Sequence, residues 1–134
     1  MQGTIALVST PVYELSQRFF FEAAHTLRRA AETGEAHSSR RIHGHTYEAE
    51  LTLAGAPDER GMVMDLGLLR TEIAALRERL DHHFLDEVQG LGPATLENLY
   101  RFIAEQATPK LTGLVRVSVW RQASGDRCVL HLKP

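Results

Sequence analysis

The stretch Phe19-Phe20-Phe21-Glu22-Ala23-Ala24-His25, taken with Ile42-His43-Gly44-His45, decides how this chain reads. The first closes a loosely alternating segment over residues 13 to 23, which predicts a strand buried on at least one face. Residues 44 to 54 carry Tyr47, Ala49, Leu51 and Leu53 at a period of two, which predicts a second strand paired to the first. His43 and His45 are two apart, so on a strand their imidazoles leave the same face. If the strands pair, His25 joins them and three neutral imidazoles converge. Three histidines with an open fourth position form the donor set of a catalytic zinc, which polarises a substrate oxygen. The competing reading is three unrelated histidines, the commoner fate of any one imidazole. The His-x-His spacing between two strand patterns favours the metal.

Between these strands, residues 26 to 42 form a long polar connection with Arg28, Arg29, Arg40 and Arg41. A connection of that length is usually functional or mobile. Its arginines could grip a phosphate tail or form a solvated face, with nothing in the sequence to choose between the two. Beyond the second strand, Gly55 to Gly61 reads as a turn. Asp65 reads as the N-cap of a helix whose apolar stripe is Leu66, Leu69, Ile73, Leu76 and Leu80. Pro93 and Thr95 open a second helix, with Thr95 as N-cap and Leu96, Leu99, Phe102 and Ile103 as its stripe. Leu114 to Trp120 and Arg127 to Leu132 read as two more strands joined at Ser124-Gly125-Asp126. The order ββααββ predicts one α+β domain over residues 1–134, with both helices on one face of a four-stranded antiparallel sheet. Four strands leave two edges, so edge pairing between subunits into a ring is expected.

Composition excludes several classes. Apolar residues make up 43% and charged residues 24%, the proportions of an ordinary globular domain. A net charge of -2 gives no basic field for nucleic acid or anionic lipid. Ile5-Ala6-Leu7-Val8 is too short for a membrane span and lacks the basic flank of a signal peptide. Cys128 is the single cysteine, so no internal disulfide can form. The expectation is a cytoplasmic protein with no nucleic-acid or membrane partner.

Asp81-His82 is a second constellation. A carboxylate beside an imidazole can fix its tautomer and raise its basicity, as a general acid/base near neutral pH requires. The plainer reading is that Asp81 ends the helix and His82 and His83 are surface residues. Glu97 either complements the dipole of the second helix or accepts ligand N–H groups.

Together these segments resemble a known family. Phe21-Glu22-Ala23-Ala24-His25, Ile42-His43-Gly44-His45, Gly61-Met62-Val63-Met64-Asp65-Leu66, Leu80-Asp81-His82-His83-Phe84-Leu85 and Thr95-Leu96-Glu97-Asn98 occur in the order of the 6-pyruvoyltetrahydropterin synthase family. That family includes the bacterial 6-carboxy-5,6,7,8-tetrahydropterin synthases of queuosine biosynthesis. The resemblance covers roughly residues 13 to 132. It implies the T-fold, with ββααββ subunits in trimeric barrels that stack as hexamers, and a zinc-dependent lyase acting on 7,8-dihydroneopterin triphosphate or a related pterin. It assigns zinc to His25, His43 and His45, acid/base work to Asp81 and His82, and pterin contacts to Thr95 and Glu97.

The same resemblance marks two departures. Ser39 stands where the family has a cysteine acting as base, and a hydroxyl is a far weaker base than a thiolate. Either His37 or His82 then takes the proton, or the reaction differs. Arg121, in Val119-Trp120-Arg121-Gln122, stands where the family has the glutamate that anchors the pterin ring. A guanidinium cannot accept the N–H groups of a pterin. Besides the lyase, these departures leave open a divergent paralogue with another substrate, or a non-catalytic T-fold protein that binds zinc or a pterin.

Overall fold

Alternating burial builds the sheet. The computed structural model describes residues 11–27 and 39–132 of the chain. Strand β1 (Tyr13–His25) pairs antiparallel with β2 (His43–Gly55), which pairs with β3 (Leu114–Arg121), which pairs with β4 (Asp126–His131). Helices α1 (Leu66–Leu80) and α2 (Leu96–Ala107) lie between β2 and β3 in sequence, and a short 3-10 turn, Leu85–Glu87, follows α1. This is the expected α+β arrangement, a four-stranded sheet in the order β1-β2-β3-β4. Ile5 to Val8 and loop residues Arg28, Arg29, His37 and Ser38 lie outside the described residues.

Phe21, Tyr47, Ala49, Leu51 and Leu53 are buried on one sheet face, beneath Leu69, Ile73, Leu76 and Leu80 of α1 and Leu99, Phe102 and Ile103 of α2. The other face is polar. Arg18 pairs with Glu50 at 3.0 Å, Arg116 with Glu14 at 3.2 Å, and Trp120 lies between the guanidinium groups of Arg18 and Arg127. Leu66 departs from the expected stripe: it is exposed, and burial on α1 begins at Leu69.

Both helix starts are capped as the sequence indicates. The Asp65 carboxylate accepts the N–H groups of Gly67 and Leu68, and the Thr95 hydroxyl accepts that of Asn98 at 3.1 Å. Each cap satisfies N–H donors that a first helical turn leaves open. At the entry to β3, Gly113 has a φ of 88° and its added Cβ would lie 3.0 Å from the Ala54 carbonyl, so only glycine fits without strain.

The contacts that matter most for the site run along the outer edge of β1. After α1 the chain turns back and lies parallel to the His25 end of β1. The Glu22 N–H donates to Asp81 Oδ1 at 2.9 Å, the His82 N–H to the Glu22 carbonyl at 2.6 Å, and the Ala24 N–H to the His83 carbonyl at 3.1 Å. The Thr26 N–H then donates to Asp86 Oδ1 at 2.9 Å. Residues 81 to 86 thereby cover the end of an otherwise open edge, from Glu22 to Thr26, and hold the end of β1 in place.

Candidate metal centre

The antiparallel register sets His25 directly opposite His43, with His45 opposite Ala23. Paired residues share a face, so the three imidazoles extend the row of Phe21 and Tyr47 off the end of the core. One nitrogen from each ring lies within 4.8 Å of the others. Two rings are oriented by main-chain carbonyls, which can only accept. His25 Nδ1 donates to the Ala94 carbonyl at 2.9 Å and His43 Nδ1 to the Arg41 carbonyl at 2.7 Å. In the neutral rings this leaves both Nε2 atoms as lone-pair donors, the orientation in which second contacts prepare histidines for metal.

His45 sharpens the point. Its Nε2 lies 3.1 Å from His25 Nε2, a lone-pair atom, and 3.3 Å from Arg121 Nη1, an N–H donor. If His45 Nε2 carries a proton it meets the Arg121 donor; if it does not, two lone pairs face each other. One contact is therefore mismatched in either tautomer. A cation shared by both nitrogens removes the conflict with His25. The 3.1 Å separation also matches the roughly 3.3 Å edge of a tetrahedron with metal–nitrogen bonds of about 2.0–2.1 Å. The residues present fit a zinc ion.

Burial first, then the Arg121 charge and the other two imidazoles, pulls the His45 pKa down to about 4. Burial likewise pulls His25 below the ordinary imidazole range. Both rings are thus held in the neutral form that a metal requires. An unfolded chain takes up these protons near 6.5, whereas folded His45 resists until about 4. The stability of the metal-free protein is therefore full above pH 6.5 and declines as pH falls toward 4. Thermal unfolding of the metal-free protein should show that decline, and a His45→Gln protein should show a shallower one. Equal slopes would mean that His45 is not a source of the acid loss.

Two clefts flank the histidines. One is lined by Glu22, Gly44, His45, Thr46, His82 and His83. Here His82 has a left-handed backbone, φ 58°, a strained geometry for a residue with a side chain. Its Nε2 lies 3.8 Å from Asp81 Oδ2 and 4.0 Å from Glu22 Oε2. These are ion-pair rather than hydrogen-bond distances, so Asp81 does not fix the His82 tautomer directly. The Asp81 carboxylate instead holds the Glu22 N–H and pairs with Arg77 at 3.1 Å.

The other cleft, of about 340 Å3, is lined by His25, Tyr47, Thr95, Glu97, Arg121 and Cys128, among others. Arg121 Nη2 pairs with Asp126 Oδ2 at 2.7 Å, and the Ser124 hydroxyl donates to the same oxygen at 2.8 Å. Thr95 spends its hydroxyl on the helix cap, while Glu97, two residues on in the same first turn, lines this cleft. Burial, with the Glu97 carboxylate behind it, pushes the Cys128 thiol up, so it is not a thiolate base near neutral pH. Ser39 is buried at the base of the long loop, where its carbonyl accepts the Leu27 N–H at 2.7 Å.

Four neighbours of the site were not evident in the sequence: Glu22, Tyr47 as a polar group, Asp86 and Asp126. Asp126 had a readable signal, because it faces Arg121 directly across the β3–β4 turn. Asp86 and Glu22 act through contacts distant in sequence, for which no local pattern exists.

Known proteins agree with this architecture. Residues 14–130 match the family model described as 6-pyruvoyl tetrahydropterin synthase. A 6-carboxy-5,6,7,8-tetrahydropterin synthase of Synechocystis is 33% identical over 93 residues, covering 65% of this chain and 68% of that protein. A putative enzyme of the same name from Archaeoglobus fulgidus is 29% identical over 99 residues, covering 74% of this chain and 79% of the relative. The Caenorhabditis elegans 6-pyruvoyl tetrahydropterin synthase structure superposes with a TM-score of 0.79 at 22% identity, covering 95% of this chain and 100% of that one. The Plasmodium vivax enzyme gives 0.73 at 18% identity, covering 92% and 99%. At those identities the superpositions speak for the T-fold alone, and the sequence matches carry the kinship. With its helices, sheet and histidine pair where that model runs, the chain belongs to the 6-pyruvoyl tetrahydropterin synthase family.

Proposed function

We propose that this protein is a zinc-dependent lyase of the pterin synthase type, using His25, His43 and His45 as metal ligands and 7,8-dihydroneopterin triphosphate or a related pterin as substrate. The observation that carries the reading is the pair of ring nitrogens, His25 Nε2 and His45 Nε2, set 3.1 Å apart beside His43 with no tautomer that satisfies every contact. Zinc held there would polarise a substrate hydroxyl and lower the cost of removing a proton next to it. The protein's own groups do the rest. His82, exposed on the cleft it shares with His45, carries protons to and from the substrate. Asp81 and Glu22 flank its Nε2, with carboxylate oxygens 3.8 Å and 4.0 Å away. Glu97, on the second cleft, accepts N–H groups of the pterin.

The assembly we propose is a hexamer of two stacked trimers, located in the cytoplasm. The N-terminal half of β1 and the whole of β4 are sheet edges, available for pairing with another copy. Among the described residues no helix is long and apolar enough to cross a membrane.

A second reading is a paralogue with a different substrate, and Arg121 favours it. A guanidinium lines the cleft where an N–H acceptor would serve a pterin better. Metal content per chain and turnover of 7,8-dihydroneopterin triphosphate, followed by product mass, separate the readings. Zinc near one per chain with release of triphosphate and acetaldehyde supports the lyase. Zinc without turnover supports the second reading, or a non-catalytic binder if no pterin is converted. A protein that takes up no zinc overturns both.

A further inference from the structure

Arg121 is held by the β3–β4 turn, not left to solvent. Asp126, itself bound by the Ser124 hydroxyl, is committed to Nη2, and that leaves Nη1 turned toward His45. The Arg121 side chain is only 18% exposed. Among the described residues its Nε is buried with no hydrogen-bond partner of good geometry, and so is the hydroxyl of Tyr47. Both residues line the cleft that contains His25. The Tyr47 hydroxyl and the Arg121 guanidinium neighbour each other, and with Nη1, which faces His45 Nε2, they border one small space next to the histidines. A phenol oxygen can accept the Nε–H, but its own proton then still lacks an acceptor, and a buried donor in that position marks a place where a ligand oxygen belongs.

Metal binding makes the need for that oxygen greater. A metal ion on His45 Nε2 takes the lone pair that Nη1 now contacts, so Arg121 loses its acceptor. The ion also places a divalent cation beside a guanidinium in a partly buried site, and like charges there repel unless an anion lies between them. Asp126 cannot be that anion without leaving Nη2 and the Ser124 hydroxyl. The anion must come from outside, and its charge is bounded. Asp126 already offsets Arg121, and Glu97 and Asp126 on the cleft wall oppose a dianion. A monoanion with two oxygens suits the donors on both sides.

We propose that the loaded three-histidine centre takes a carboxylate ligand, with one oxygen in the open metal position and the other held by Arg121 and Tyr47. This rests on the metal site proposed above and deepens the second reading, a paralogue whose small-molecule substrate carries a carboxylate at its reacting end.

The test uses the cobalt-substituted protein, whose visible absorption reports a change of metal ligand. Acetate is titrated at constant ionic strength, with acetamide as the neutral counterpart. Acetate is expected to shift the cobalt spectrum saturably and acetamide to leave it unchanged. An Arg121→Gln protein should hold the same cobalt per chain and bind acetate roughly tenfold to a hundredfold more weakly, the effect of losing a charged hydrogen bond. Tyr47→Phe, which leaves the guanidinium in place, should weaken acetate by about twofold to tenfold and decides the matter if Arg121→Gln does not retain metal. Equal acetate affinity in parent and variants, or an equal response to acetamide, overturns the proposal and leaves the metal site standing. A parent protein that takes up no cobalt overturns both.

Discussion

A His43→Ala protein is expected to retain less than about a tenth of the zinc of the parent while unfolding at nearly the same temperature. Structural and catalytic zinc sites use at least three protein ligands, and two imidazoles at the end of a hairpin bind weakly. Loss of a single supporting contact to a ligand typically costs tenfold to a hundredfold in metal affinity, and loss of a ligand costs more. His43 is the right position for this test. It is half-buried, and among the described residues its side chain hydrogen-bonds only the Arg41 carbonyl nearby in the chain. His25 is a poorer choice. It is buried, and its Nδ1 ties the end of β1 to the Ala94 carbonyl ahead of α2, so removing it would disturb packing as well. If His43→Ala keeps one zinc per chain by elemental analysis, the ligand assignment is wrong. If it loses zinc and also unfolds, the metal is structural, and the claim that the core stands without it fails.

That claim follows from where the core lies. Phe21, Leu51, Leu53, Leu69, Leu80, Phe102 and Ile103 fill the space between sheet and helices, and of the three histidines only His25 is buried beside them. These residues could be read from the sequence because burial in strands and helices imposes periods of two and 3.6, and each period is visible locally. Asp65 and Thr95 were legible for the same reason, since a cap acts on N–H groups two or three residues away. The clustering of the three histidines was legible because a His-x-His pair and a strand ending in histidine need only one antiparallel register to meet.

Legibility ends where contacts depend on register between distant elements. Nothing near Asp81 in sequence shows that its carboxylate will accept the Glu22 N–H, because that contact depends on the path of the chain after α1. Arg121 was conspicuous as a residue type, but its approach to His45 depends on the β2–β3 register, which pairs Trp120 with Glu48. The donor cluster around Arg121 and Tyr47 was invisible for the same reason. Leu66 misled because the helical period continues through the first turn of α1 while burial begins only at Leu69.

The contact between Asp81 and β1 changes what its replacement should do, and two substitutions separate its duties. Asparagine keeps an oxygen for the Glu22 N–H, so the edge of β1 stays clamped. It removes the charge that faces His82 at 3.8 Å and Arg77 at 3.1 Å. Arg77 keeps a second acceptor, the Phe20 carbonyl at 2.6 Å from its Nε, so the fold should lose only about 1 kcal/mol. Turnover should suffer far more. If Asp81 supports proton transfer through His82, Asp81→Asn lowers kcat by roughly a hundredfold to a thousandfold, within the range for general acid–base catalysis. KM and zinc content should stay near parental values, because neither the metal ligands nor the second cleft is touched. Asp81→Ala should add a structural penalty of about 1–3 kcal/mol, since the Glu22 N–H then lacks its acceptor and the His25 end of β1 loosens. An Asp81→Asn protein with parental kcat beside an impaired Asp81→Ala protein would make Asp81 a clamp on β1 and nothing more. Proton transfer would then rest with His82 and Glu22 alone.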